Sequence, residues 1–361
     1  MTGEAPESGD DGVPDSMVRG MVAELKPDWQ VTSIERSPHG TDLVAILDVR
    51  TPEPESVVLK ATTADFVDPI IARSEPRLLE FVHRETTIPV PEVFGYCDDH
   101  RHYPAPFYVM EYVEGANYEN QVADLSVAAR ETLLREAGEN LAELHELGPL
   151  AAPGKVGVQD GELCVLDTDD HPRHDDFHDA VLADCEETLD TLTDGGFYPE
   201  LADDPERFAD IVPEVREYVR EHVPDLSEPG EPTYCHWDYR IGNLLIDPAT
   251  GETHAVLDWA NLSAAEPAYN LGQTEFYLLN PVADGPQRTS RLRETFRTAY
   301  ADARSDWSLT ESIRERIDVY RLICRLGAMA CLPLWYQDAS PAERNERAAE
   351  HRTVVNQYLA E

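Results

Sequence analysis

The chain has 361 residues, 42% of them hydrophobic, enough to bury a full core in two domains or one bilobal unit. Its formal net charge is -42, and lysine occurs only at positions 26, 60 and 155, so arginine carries nearly all the positive charge. No basic stripe exists to neutralise nucleic-acid phosphates, and no apolar run is long enough to span a bilayer. A charge of this size suits a strongly saline cytosol, where a Debye length of about 3 Å at molar salt screens self-repulsion, and it describes the solvent better than the ligand. The opening residues, MTGEAPESGDDGVPDS, are acidic and rich in Gly and Pro where a signal peptide would be basic and then apolar. They predict a cytoplasmic protein with a disordered acidic tail over residues 1–14. Six cysteines, Cys97, Cys164, Cys185, Cys235, Cys324 and Cys331, form no CxxC pair and read as reduced core thiols.

Taken in chain order, residues 31–112 carry a strand pattern. VTSIERS, DLVAILDV and SVVLKAT come first, then a helical stretch around IARSEPRLLEFVHRE, then PEVFGY and PFYVMEY. This predicts a small antiparallel sheet with one helix over residues 15–112. From VEGAN onward the apolar spacing lengthens to that of helices, in VAARETLLREAGENLAELHEL, FHDAVLADCEETLDTL, ERFADIVPEVREYVREHV, AAEPAYNLGQTEFYLL and the segments after Arg291. The expectation for residues 113–361 is a mainly helical lobe interrupted once, where NLLIDPATGETHAVLDW reads as two short strands joined by a turn near residues 247–252.

That hairpin concentrates chemistry. Antiparallel pairing about the turn brings Asn243, at the start of one strand, close to Asp258, at the end of the other. Asp238 lies on the loop HWDYRIGN that enters the same strand, so three oxygen-bearing side chains converge where a hard cation such as Mg²⁺ would sit. Asp238 either joins the metal or accepts a proton from a substrate hydroxyl. In the N-terminal region, VVLK ends a strand with Lys60, whose compact ammonium suits a phosphate as a point charge. Glu75, on or near the following helix, is placed to pair with it, and Pro76 directly after Glu75 fits only the first turn of an unkinked helix. Upstream, Gly40 in RSPHGTD sits in a turn able to cover a nucleotide. A strand lysine, a helix glutamate, then an Asp loop with Asn and a second Asp are the recurring parts of phosphoryl transfer.

In this order the motifs resemble those of the aminoglycoside phosphotransferase and choline kinase-like families and, more distantly, the protein kinases. HWDYRIGN is similar to their HxDxxxxN catalytic loop, and VLDW to their metal-binding Asp motif. The resemblance covers about residues 30–335 and implies an α+β, bilobal protein kinase-like fold: a small antiparallel-sheet N-lobe and a mainly helical C-lobe. It implies ATP or GTP as phosphoryl donor, Mg²⁺, and a small hydroxylated acceptor. By the same resemblance Asp238 is the base or hydroxyl-orienting residue, and Arg240 faces the transferred group. Asn243 and Asp258 are metal ligands, Lys60 grips the phosphates, and Glu75 orients Lys60. Backbone groups from Met110 to Tyr112 hold adenine. Trp237 stands where the family commonly has Gly, and Glu266 and Asn270 in EPAYNL stand where it often has two Asp residues.

Two alternatives belong to other classes. A pseudokinase would bind nucleotide or metabolite without chemistry, and a metal-dependent hydrolase would use His236, Asp238, His254 and Asp258 while leaving Lys60 without a role. His236 is expected to brace its loop by hydrogen bonds. His171, His174 and His178, in HPRHDDFHD, read as a solvated acidic helix start and not as a metal site.

Overall fold

The computed structural model describes residues 12–37, 42–51, 54–63, 67–119, 121–279, 286–304 and 307–360. Gly40 and residues 1–11 of the expected tail lie outside them. Helix α1 (Asp15–Leu25) precedes the first strand and is absent from the sequence expectation. It forms because Val18, Met21 and Val22, spaced at three and four residues, bury one face completely. Strands β1 (Gln30–Arg36), β2 (Leu43–Arg50) and β3 (Ser56–Ala61) follow, then the short α2 (Pro69–Ala72), α3 (Ser74–Glu85), β4 (Val93–Cys97) and β5 (Phe107–Glu111). The five strands form an antiparallel sheet in the order β1-β2-β3-β5-β4.

Alternation along β3 and β5 decides what this sheet presents on each side. Val57, Leu59, Ala61, Phe107 and Val109 pack with α1 into one apolar cluster. Lys60 and Tyr108, paired across the two strands, therefore point to the opposite face. There Leu78, Leu79 and Val82 of α3 and the ring of Tyr108 join the larger core, which continues through the rest of the chain.

Helix α4 (Val127–Glu146), capped by Ser126 accepting from the Ala129 N–H at 3.1 Å, opens the helical region. After it come β6 (Gly154–Gln159), β7 (Glu162–Val165), α5 (Phe177–Thr191), α6 (Val212–Asp225), β8 (Thr233–Cys235), β9 (Leu244–Ile246), β10 (Thr253–Val256) and β11 (Ser263–Ala265). The chain ends with α7 (Pro267–Leu279), α8 (Pro286–Ala303), α9 (Glu311–Ala330), the short α10 (Leu332–Trp335) and α11 (Pro341–Leu359). Helix α4 packs along α8, and α7 along α9. No helix among the described residues is long and apolar enough to cross a membrane.

Two expectations need correction. The helical region holds a second sheet besides the hairpin, four antiparallel strands in the order β7-β6-β11-β8. Strands β8 and β11, at three residues each, are too short to show a period, although the Asp160-Gly161 turn between β6 and β7, with φ of 53° and 87°, carries the usual hairpin signature. Nor is the histidine-rich helix start simply solvated. His178 is buried, and its Nε2–H donates to the Tyr320 hydroxyl at 2.9 Å, while Tyr320 donates to the buried Glu266 at 2.8 Å. His171, half-buried, pairs with Asp68 at 2.9 Å. Helix α5 turns its first residues toward α9, so the surrounding acid did not determine their exposure. Three cysteines, Cys185, Cys235 and Cys324, are buried, the other three are partly exposed, and all six are free thiols.

The predicted hairpin is present, with β9 and β10 paired antiparallel and the backbone N–H of Asp247 donating to Glu252 O at 2.9 Å. Gly251 holds φ of +80° in this turn, and a Cβ there would collide with the carbonyl oxygen of Ala129 on α4. Gly251→Ala is expected to lower stability by about 2 kcal/mol or more. A denaturant midpoint at fixed KCl equal to that of the parent chain would refute this.

Candidate active site

The hairpin ends and the five-stranded sheet bring together most of the residues selected from the sequence. Lys60 Nζ reaches Glu75 Oε2 at 2.7 Å and Asp258 Oδ1 at 3.6 Å. Glu75 is 4% exposed, and Pro76 follows it in the first turn of α3, where the missing N–H breaks no helical bond. Burial is the largest single influence and works against the Lys60 charge, but Glu75, Tyr108 and Asp258 together outweigh it and hold the ammonium well above its ordinary pKa. Burial likewise opposes ionisation of Asp258, yet the Lys60 charge, with Arg240 adding, keeps that carboxyl below its usual value. Asp258 adopts the left-handed conformation, φ 63° and ψ 64°, at the point where the chain leaves β10 for the turn containing Trp259. Trp259 is buried, donates from Nε1 to Val256 O at 2.9 Å, and packs edge-on against His236 with ring centres 4.7 Å apart.

The loop before β9 is fixed from within. His236 donates from Nε2 to Leu257 O at 3.0 Å and accepts the Asp238 N–H on Nδ1 at 3.2 Å. This is the neutral tautomer, consistent with burial pushing its pKa down to about 4. The Leu257 N–H donates to Asn243 O at 2.8 Å, which clamps the base of Asn243 to the residue before Asp258. Asn243 turns its Nδ2 inward, donating to Asp238 O and to Asp238 Oδ2, both at 2.9 Å. Its Oδ1 is thereby left as the acceptor. Arg240 Nε also donates to Asp238 Oδ2, at 3.0 Å, and the same guanidinium pairs closely with Glu119.

Beneath the loop lies a polar brace. Asn270 on α7 donates to His236 O at 2.9 Å and accepts from His145 Nε2 at 3.1 Å. His145 Nδ1 accepts from the Tyr300 hydroxyl at 2.8 Å, and burial pushes His145 down to about 3, so it stays neutral. Glu266 does not approach the loop carboxylates; it is buried against Arg316 at 2.7 Å. Trp237, in place of Gly, stacks on Tyr269 with ring centres 4.8 Å apart.

Some expected residues stand apart. Met110 lies inside β5, opposite Val58 of β3 and Val93 of β4, so sheet pairing engages its neighbourhood on both sides. The Glu111 N–H is taken by Glu92 O at 2.8 Å, whereas Tyr112, just past the strand, is 39% exposed. His254 sits on the exposed side of the hairpin and bonds to Glu114 O at 2.7 Å. With both His236 nitrogens used inside the loop, the histidines of the hydrolase alternative do not converge. Among the described residues no group of three or more His, Cys, Asp or Glu is arranged to hold a metal. A divalent cation would rest on Asp258, the Asn243 Oδ1 and phosphate oxygens, a sparse, oxygen-only set suited to Mg²⁺.

Sequence reading missed several contributors. Tyr108 stands beside the Lys60–Glu75 pair, legible only once the β3–β5 register is known. Asn117 donates to Gly242 O at 2.6 Å, and Glu119 holds Arg240, yet the segment carrying them has no periodic signal.

The sequence matches the family model described as phosphotransferase enzyme family across residues 49–309, most of the chain. The chain belongs to the phosphotransferase enzyme family. Solved structures agree at the level of fold, which is protein kinase-like and bilobal. A Ralstonia eutropha chain assigned as an aminoglycoside phosphotransferase superposes with a TM-score of 0.61 at 16% identity, covering 96% of this phosphotransferase and 98% of that chain. The GDP and kanamycin complex of APH(2")-IIIa gives 0.58 at 15% identity, covering 94% and 97%. Plasmodium vivax ethanolamine kinase gives 0.52 at 12% identity, covering 90% and 81%. Among curated proteins, human acyl-CoA dehydrogenase family member 11 is 24% identical over 249 residues, 68% of this phosphotransferase but 26% of the relative. Arabidopsis thaliana probable acyl-CoA dehydrogenase IBR3 is 22% identical over 187 residues, 51% and 20%. The phosphotransferase thus spans about a quarter or less of these curated relatives.

Burial, and then the nearby Asp258 charge, push the Asp238 carboxyl up to about 7, with the Asn243 hydrogen bond pulling the other way. Asp238 is therefore expected to be protonated below neutral pH in the metal-free protein. Asp258→Asn removes a like charge and is expected to lower the midpoint. Carboxyl ¹³C titration checks both, and a wild-type midpoint below 5, or one unmoved by Asp258→Asn, would contradict the stated causes.

Proposed function

We propose that this phosphotransferase moves the terminal phosphoryl group of ATP or GTP to a hydroxyl of a small molecule, with Mg²⁺ bound at Asp258 and Asn243. The observation that carries the reading is the junction itself. One carboxylate, Asp238, is held by Arg240 and Asn243 beside a second, Asp258, which meets the Lys60 ammonium braced by Glu75. In this reading residues 15–112 form the nucleotide lobe and residues 113–361 the catalytic and acceptor lobe, with backbone beyond β5 near Tyr112 nearest adenine.

The chemistry asked of the side chains is mainly placement and charge. Asp238 accepts the proton of the acceptor hydroxyl as the new oxygen–phosphorus bond forms and the bond to the leaving diphosphate breaks. Two donors fix its carboxylate, so one oxygen edge remains for the hydroxyl. Lys60 neutralises phosphate charge on the nucleotide, and Glu75 keeps that ammonium pointed into the cleft. Arg240 presents a guanidinium beside the reacting group, with Glu119 and Asp238 limiting its rotation. Bound Mg²⁺ supplies Lewis acidity toward the phosphate oxygens.

Metal and base are separable. Asp258→Ala is expected to abolish turnover and weaken Mg²⁺–nucleotide binding, whereas Asp238→Ala removes turnover with nucleotide binding largely kept. Calorimetric titration decides, and equal loss of nucleotide affinity in both variants would overturn the assigned roles. Turnover is also expected to fall as acid protonates Asp238, which must be ionised to accept a proton, with a midpoint below the metal-free value of about 7 because Mg²⁺ at Asp258 would offset the like charge that raises it.

Salt provides a second test. A polyanionic nucleotide approaches a chain of net charge -42, and Lys60, Arg240 and the metal attract it locally. KCl screens the exposed acidic surface more than the partly shielded site. Nucleotide affinity is therefore expected to rise with KCl while circular dichroism shows the fold intact; a steady loss of affinity would mean the local cations outweigh the surface field.

A further inference from the structure

Helix α7 separates the catalytic loop from a second cleft. Tyr277 lies within electrostatic reach of Asp238 and Arg240. The neighbouring Glu275, Phe276 and Leu279, on another part of the helix surface, line a cavity of about 290 Å³ bounded also by α8, α9 and α11. Three arginines from two helices point to it, Arg293 on α8 and Arg321 and Arg325 on α9.

Their environment is unusual for so acidic a chain. Glu275, fully withdrawn from solvent, pairs with Arg293 at 3.0 Å and with the buried Arg297 behind it at 3.0 Å. Arg321 reaches the same carboxylate only at 3.9 Å and pairs with the half-exposed Asp318 at 2.8 Å. Arg325 is 9% exposed, with its guanidinium 5.1 Å from the Phe276 ring centre and its Nη1 3.4 Å from Nδ1 of His351. Four guanidiniums thus gather around Glu275 and Asp318, with Glu350 also acting on Arg325. Burial, with Arg321 adding repulsion, pushes Arg325 down to about 10, and the same two causes lower Arg293. Like charges crowded in a poorly solvated cleft are stabilised by an anion, and the planar fork of arginine matches phosphate or carboxylate oxygens. Gln357 and Thr289 add polar groups to the wall.

We infer that the cleft between α7, α8, α9 and α11 binds a small polyvalent anion bearing phosphate or carboxylate groups, held by Arg293, Arg321 and Arg325. Its volume is at the lower end for small-molecule sites, which fits a metabolite-sized anion and not a nucleotide. The site stands apart from the proposed nucleotide cleft and does not depend on that assignment.

Calorimetric titration of metal-free protein at constant KCl, with inorganic phosphate and citrate as separate probes, tests the inference and distinguishes phosphate from carboxylate preference. At least one probe is expected to bind with a stoichiometry near one. Binding is expected to persist in Asp258→Ala, and to weaken about tenfold or more in Arg293→Gln and in Arg321→Gln. Absence of binding by either probe, binding lost in Asp258→Ala, or binding unchanged in both arginine variants would overturn it. Should the arginine variants fail to fold, arginine-selective dicarbonyl labelling of the wild-type chain, mapped by mass spectrometry, gives an independent readout. Anion protection of Arg293 and Arg321 supports the site, and labelling unaffected by the anion refutes it.

Discussion

The Lys60 ammonium is the contact on which the rest of the candidate site depends. It stands on the central strand of the five-stranded sheet, pairs with Glu75 from α3, and reaches Asp258 at the end of the hairpin. Three separately folded elements are registered by one charge. Removing either neighbour would leave a buried group without its compensation, and uncompensated buried charge is among the most costly defects a core can hold. The strand delivers the ammonium to this face through simple alternation: Leu59 and Ala61 on either side of Lys60 point to the α1 cluster, so Lys60 can only point away from it.

The HWDYRIGN loop is held in place for a related reason. Its backbone carbonyls and amides are satisfied by the buried His236 imidazole, the buried Asn270 amide and the half-buried Leu257 N–H. A buried polar network of this kind specifies one arrangement because a shifted loop would leave groups unpaired. The neutrality of His236 and His145 matters here, since a charge on either would be isolated in the core. Further along, the Glu266–Arg316 pair, with Tyr320 and His178, ties α7 to α9 and α5 and so sets the floor on which the loop rests.

Charge works at two scales in this phosphotransferase. The overall balance is strongly acidic, and most arginines are spent in ion pairs with nearby carboxylates. Against that background, cationic groups facing a cleft stand out: Lys60 and Arg240 at the open end of the hairpin, and the α8–α9 arginines behind α7. A field set by many distant charges is readily screened, whereas one set by a few groups within a partly desolvated cleft is not.

The sequence by itself determined the sheet-then-helix order, the hairpin, and the oxygen-bearing side chains that gather at its open end. These depend on local period and on the chemistry of residues close in sequence, as with Asn243 and Asp258 brought together by a short turn. The Lys60–Glu75 pairing was also legible, because a strand, a short connection and a helix leave few ways to meet. Tertiary structure alone decided the rest. Three-residue strands such as β8 and β11 have no period to read, and exist because partners in a sheet supply their hydrogen bonds. The burial of His178 among acidic neighbours follows from where α5 meets α9, not from the charge of its own segment. Asn270, His145 and Tyr300 join into one brace from positions up to 155 residues apart, and the arginines of the rear cleft converge only because α8 and α9 both pack against α7. Contacts at such separation are fixed by how apolar faces stack, and no local pattern records them.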